Sequence, residues 1–130
     1  MYIDSQSMTG ADVRFIGSVE QVDGDYSTIL IFPEFLDGLD GIQSKNKLYI
    51  LYWLHQRDSP EHRSILKVVP RRHGATRSTG VFNTRSPSRP NPIGLTIVDL
   101  VKVKSNKLIV KGLDAFKGSP ILDIKPANHE

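Results

Sequence analysis

Arg85 and Arg89 stand in the stretch GVFNTRSPSRPNPIGLTIVDL, residues 80–100, interleaved with Pro87, Pro90 and Pro92. A guanidinium is a planar, permanently charged fork of donors suited to a carboxylate or a phosphate. Each proline fixes its own φ near about −65° and pushes the residue before it toward extended geometry. Here that constrains Ser86, Arg89 and Asn91. The loop is therefore shaped before any ligand arrives, which lowers the entropy cost of ordering it. Gly80 and Gly94 bracket it and permit a sharp turn or a close backbone approach at each end. Anion binding is one reading; the other is a stiff crossover whose arginines pair with the domain's own acids.

Further candidates lie on either side. From Arg63 to Arg89 the chain carries seven cations (Arg63, Lys67, Arg71, Arg72, Arg77, Arg85, Arg89) and no acid, although the net charge of the whole is only +3. A basic block on an otherwise slightly acidic chain fits a polyanion-binding face. The same block also fits a solvated arginine-rich loop. His55-Gln56 closes the most apolar run of the chain. Asp123 lies inside an apolar strand pattern, where a carboxylate needs a partner, and a loop arginine is the expected one. It is the one weak candidate for general-base chemistry. His55, His62, His73 and His129 show no ligand spacing and there are no cysteines, so a metal site is not expected. The absence of GxGxxG disfavours a doubly wound nucleotide-binding fold.

These groups need a frame. With 130 residues the chain is large enough for one self-supporting domain. The expected organisation is a flexible lead over 1–11 and a single domain over 12–130. No apolar stretch reaches the roughly 20 residues of a membrane span and no signal pattern opens the chain, so a soluble cytoplasmic protein is the default expectation. VRFIGSVEQV (13–22) and YSTILIF (26–32) read as a hairpin about Asp23-Gly24-Asp25. FLDGLDGI (35–42) fits a short helix or turn. KLYILYWLHQ (47–56) reads as a core strand, with Tyr49, Tyr52 and Trp53 as core aromatics. SILKVVP (64–70) and PILDIK (120–125) add strands. The surest hairpin joins LTIVDLVKVK (95–104) to KLIVKGL (107–113) through Ser105-Asn106, with Val101 and Val103 on one face. Short strands with little helical period predict an all-β, compact antiparallel β-barrel with one or two short helices.

The stretch 80–100 resembles the signature of the TsaA-like family, the TrmO-type or VirR/YaeB group. LYILYWLHQ (48–56), VVPRRHG (68–74) and LDAFKGSPILDIKP (113–126) follow in the family's order, so the resemblance spans roughly Phe15 to Pro126. It implies a β-barrel working as a homodimer that uses S-adenosylmethionine to methylate the exocyclic amino group of threonylcarbamoyl-adenosine beside the tRNA anticodon. It places His55, Gln56, Arg85, Leu95, Asp114, Ala115, Phe116, Lys117 and Gly118 at the cofactor. Arg85 would meet the methionine carboxylate, Arg89 would do the same or reach a tRNA phosphate, and Leu113–Gly118 would meet the adenosine end. Arg71, Arg72 and Arg77 would contact the anticodon-loop phosphates. Two features depart from the family pattern. Ile16-Gly17-Ser18-Val19 runs directly into EQVDGDYSTILIF where relatives carry a PRQ-type cofactor loop, and Ala127 replaces the tyrosine usual after DIKP. The sequence ends at Glu130, which reads as a short form without the C-terminal domain of the bacterial long form. Methyl transfer is a direct displacement that needs alignment and exclusion of water more than a reactive dyad. The alternative expectation is a non-catalytic RNA- or small-anion-binding barrel that has lost the methyl donor.

Overall fold

The computed structural model describes residues 8–127. Eight strands form in the order β1 (Gly17–Asp23), β2 (Tyr26–Ile31), β3 (Lys47–Trp53), β4 (Lys67–Val68), β5 (Thr79–Gly80), β6 (Ile93–Lys104), β7 (Lys107–Lys111) and β8 (Pro120–Pro126). Six of them, in the spatial order β1-β2-β7-β6-β3-β8, curl into an antiparallel barrel. The seam between β1 and β8 is closed by two residue pairs, Gly17 with Ile121 and Ser18 with Pro120. β4 and β5 form a separate two-stranded ladder on the excursion between β3 and β6.

Period-two patterning explains the barrel. Ile29 and Ile31, Leu48 and Ile50, Leu108 and Val110 alternate with exposed or half-buried neighbours, and with Val19, Val98 and Ile121 they fill the interior. These are β-branched and aliphatic residues whose burial supplies most of the folding free energy. Both expected hairpins form, and β1 joins β2 directly through the turn at Gly24, where φ is +61°.

Several boundaries differ from those read in the sequence. The first strand begins at Gly17 rather than at 13, because Arg14 and Phe15 leave the ladder for the Phe35 ring and the Trp53 ring. β3 stops at Trp53, short of His55-Gln56: the Leu54 N–H donates to the Pro92 carbonyl and the chain turns into a 3₁₀ helix, His55–Arg57. The strand expected over 64–70 shrinks to Lys67–Val68, hemmed in by the helix α1 (Pro60–Arg63) and by Pro70. Val101 and Val103 do not share a face, since a β-bulge between Leu100 and Lys102 leaves Val101 exposed. Of the three aromatics on β3 only Tyr52 is core; Tyr49 and Trp53 are half-buried on the outer face. Among the described residues α1 is the single α-helix, beside short 3₁₀ turns at Pro33–Leu39, Ile42–Ser44, His55–Arg57, Arg71–His73 and Val81–Asn83. His129 and the first seven residues of the expected lead lie outside the described residues.

Candidate functional site

β6 is longer than its neighbour β7, and the difference opens the site. β7 ends at Lys111 opposite Asp99, and the chain then turns away at Gly112, where φ is +94°. The first half of β6, Ile93–Val98, is thus paired with β3 on one side and free of β7 on the other. Two segments occupy that edge. Arg85 Nη1 donates to the Leu95 carbonyl oxygen at 2.9 Å, and Leu113–Gly118 crosses the barrel end on the way to β8.

Tyr52 ties these segments together. It pairs with Gly94 in the β3–β6 register, and its ring fills the space that a Cβ at position 94 would need. The hydroxyl donates to the Asp114 carbonyl oxygen at 2.5 Å and shares a 3.0 Å hydrogen bond with Thr96 Oγ1. Burial is the largest cause that raises its pKa; the Thr96 hydrogen bond opposes it, the Asp114 charge adds to it and the Arg85 charge opposes it. Thr96, Asp114 and the Arg85 charge, from three separate segments, therefore meet around one phenol.

The raised pKa has a consequence for stability. The folded chain holds the Tyr52 proton more tightly than the unfolded chain, so this contribution is complete below the unfolded value of about 10 and declines as pH rises through the folded value. Tyr52→Phe is expected to remove that alkaline component and to cost about 1–3 kcal/mol at neutral pH, because the Asp114 carbonyl and the Thr96 hydroxyl lose a partner. Urea denaturation of both proteins on either side of pH 10 checks this; equal alkaline slopes would place the titrating group elsewhere.

The proline-arginine loop is rigid for more reasons than its prolines. Ser88 is buried, and its hydroxyl lies 2.8 Å from His62 Nδ1 and accepts from Arg57 Nη1 at 3.1 Å. Arg63 donates to the Pro90 carbonyl oxygen at 2.8 Å and to Asn91 Oδ1 at 3.3 Å, and it pairs with Asp58. Arg89 Nη1 donates to the Thr84 and Ser86 carbonyl oxygens, both at 3.1 Å, which makes it a brace inside the loop rather than a free phosphate contact. Neither loop arginine pairs with an acid among the described residues. Arg57, Arg63 and His62 were not read as loop supports in the sequence, since their partners lie some 26–31 residues away along the chain.

His55 and Gln56 are exposed on the 3₁₀ turn just beyond β3, at the same barrel end as Ile93. Asp114, Phe116, Lys117 and Gly118 are exposed and Ala115 is half-buried; the Phe116 N–H is held by Ser119 Oγ, and Gly118 adopts φ +90°. Asp123 does not join this group. It is half-exposed and pairs with Lys125 at 3.1 Å instead of a loop arginine, because residues two apart share a strand face while Arg85 and Arg89 are held by carbonyls. It borders a cleft with Ile16, Phe35, Leu39 and Ile42, under the Pro33–Leu39 turn. Arg71, Arg72 and Arg77 are exposed on the excursion around β4 and β5, clear of the barrel. No cluster of metal-ligating side chains occurs among the described residues, nor does a helix long and apolar enough to cross a membrane.

The outer surface beside the site is apolar. Tyr49, Leu51 and Trp53 on β3 are registered against Ile97, Leu95 and Ile93 on β6, and the last three are 50%, 39% and 37% exposed.

The chain is similar to proteins of known sequence and structure over most of its length. A probable S-adenosyl-L-methionine-binding protein of Methanothermobacter thermautotrophicus is 49% identical over 100 residues, covering 77% of this chain and 68% of that protein. A second protein so described, from Methanocaldococcus jannaschii, is 46% identical over 110 residues, covering 85% and 86%. A crystal structure of TrmO superposes with a TM-score of 0.70 at 27% identity, covering 92% of this chain and 58% of that one. The chain thus spans a little over half the length of that solved protein. Residues 18–130 match the tRNA-methyltransferase O N-terminal domain, and with the barrel and the Arg85–Tyr52–Asp114 arrangement in place, the chain belongs to that family.

Proposed function

We propose that the chain binds S-adenosylmethionine at the open edge of β6 and transfers its methyl group to the exocyclic amino group of threonylcarbamoyl-adenosine in tRNA. The observation that carries this reading is the meeting of Asp114 and the Arg85 charge at Tyr52, with Arg85 held on the Leu95 carbonyl. The residues present fit such a ligand. Arg85 has five N–H donors, and its Nη1 already donates to Leu95, which leaves the rest of the fork for a carboxylate. Leu95 and Phe116 offer exposed apolar surface, 39% and 65%, to an adenosine. His55 and Gln56 offer polar groups at the same barrel end.

The sulfonium, when bound, supplies an electrophilic methyl group. What the chain contributes is placement: a braced loop fixes Arg85, and the buried phenol of Tyr52 fixes the Asp114 backbone. Exposed Arg71, Arg72 and Arg77 would meet RNA phosphates, which position a substrate without reading its sequence. The apolar β3–β6 face suits a second copy of the chain across a two-fold axis, as a homodimer. A second reading has one observation in its favour: β1 turns straight into β2 at Gly24, leaving no cofactor loop there. In that reading the chain is an RNA-binding barrel without a methyl donor.

Calorimetric titration with S-adenosylmethionine separates the two. Micromolar binding that weakens about 100-fold or more in Arg85→Ala is expected, as when a charge-assisted bidentate contact is lost. No heat at millimolar ligand would overturn the methyltransferase reading and leave the RNA-binding one.

A further inference from the structure

Phe82 is 78% exposed, the highest among the large apolar side chains of the described residues. Its backbone is nevertheless fixed. Val81 before it is buried, and the Val81 N–H donates to the Leu66 carbonyl oxygen at 2.9 Å. The Val81 carbonyl accepts from both the Thr84 N–H at 3.0 Å and Thr84 Oγ1 at 2.9 Å. Asn83 Nδ2 donates to Thr79 Oγ1 at 3.2 Å. The one-turn 3₁₀ helix Val81–Asn83 therefore holds an aromatic ring out in water on a braced support, at the start of the proline-arginine loop. No packing among the described residues accounts for that placement.

The surroundings decide what the ring faces. Phe82 sits in the segment from Arg63 to Arg89, which has cations and no acid, with Arg77 and Arg85 on either side of it in sequence. A second copy of the chain meeting it across a two-fold axis would bring this basic segment against itself without countercharge. A single-stranded nucleic acid brings phosphates for the cations and an unstacked base for the ring.

We propose that Phe82 is a stacking platform for an unpaired nucleobase of the RNA substrate, beside the Arg85 site. This rests on the tRNA reading above and makes Phe82 a positioning residue for that substrate. Because the ring is a π surface without a charge, its loss weakens RNA binding and leaves the salt dependence of binding as it was.

The test uses the full chain and a fluorescently labelled tRNA anticodon stem-loop, with affinity measured by anisotropy over a series of salt concentrations. Phe82→Ala is expected to weaken binding about 10- to 100-fold, the range for one lost base–aromatic stack. Phe82→Trp is expected to restore binding and Phe82→Leu to fail, with equal salt slopes, S-adenosylmethionine affinity and molecular mass throughout. In a methylation assay the loss falls on KM for RNA. Wild-type binding with an unchanged Phe82→Ala variant overturns this inference alone. Full rescue by leucine, or a change of mass in Phe82→Ala, also overturns it, in favour of an apolar protein contact. Absence of RNA binding by the wild type overturns the tRNA reading itself.

Discussion

Gly94→Ala is expected to lower stability by about 2–3 kcal/mol, the upper range for overpacking a filled interior, and to weaken cofactor binding with it. A Cβ at 94 would fall inside the van der Waals radii of Tyr52 Cε2 and Cζ. The phenol has no free direction in which to yield, since it is 5% exposed and its hydroxyl is held by Asp114 and Thr96. If the ring swings aside, both hydrogen bonds break and Leu113–Gly118 loses its anchor. If the ring stays, β3 and β6 must part at the residues that present Leu95 to Arg85. Either response disturbs the site. Gly80→Ala is the control, because the nearest atom to its new Cβ would be the Leu66 carbonyl oxygen at 4.0 Å. That variant is expected to stay within about 0.5 kcal/mol of the wild type. Urea denaturation and S-adenosylmethionine titration of both variants check the pair; equal stability of the two would mean that the Tyr52 ring is not confined.

The two glycines show what was legible in the sequence. Both bracket the proline-arginine loop, and either a sharp turn or a close approach is expected at each end; Gly80 leads into the 3₁₀ turn Val81–Asn83 and only Gly94 has a close approach. Both lie in strands, but Gly80 ends the two-residue β5 whereas Gly94 stands in the long β6 directly opposite an aromatic, where glycine marks a spot at which something must come close. The barrel was legible for the same kind of reason, because alternation of apolar and polar residues is a local property of the chain. Its exceptions were not. The bulge at Val101 and the turn at Leu54 follow from which carbonyl lies opposite, and that is decided by partners far away in sequence. The site divides likewise. Arg85 could be singled out from its stiff neighbourhood, whereas Tyr52 looked like one more aromatic in an apolar run. Its role appears only when β3, β6 and the segment after β7 are brought together. Asp123 misled for the converse reason: an apolar pattern around a carboxylate implied burial, but that face of β8 is half-open and Lys125 lies two residues on.

Gly17→Ala is expected to do more damage than Gly94→Ala, about 3–4 kcal/mol or failure to fold. The cause differs in kind. The new Cβ would run into the Leu30 carbonyl oxygen, with the Leu30 carbonyl carbon at 3.1 Å and Ile31 Cα at 3.2 Å. These are backbone atoms of the paired strand and cannot rotate away, so β1 and β2 must separate. Gly17 is also half of the seam, since it pairs with Ile121 in one of the two links between β1 and β8. Separation there reaches the site, because the Gly118 N–H and the Ser119 carbonyl both bond Val19 of β1 and so hold the end of the segment that Tyr52 anchors. A domain of this size has roughly 5–15 kcal/mol of stability to lose, so a large share would go. The melting temperature is expected to fall by about 10–20 °C, at roughly 4 °C or more per kcal/mol. A fall of only a few degrees would mean that β1 moves as a unit to make room, and that the two-pair seam is not what closes the barrel.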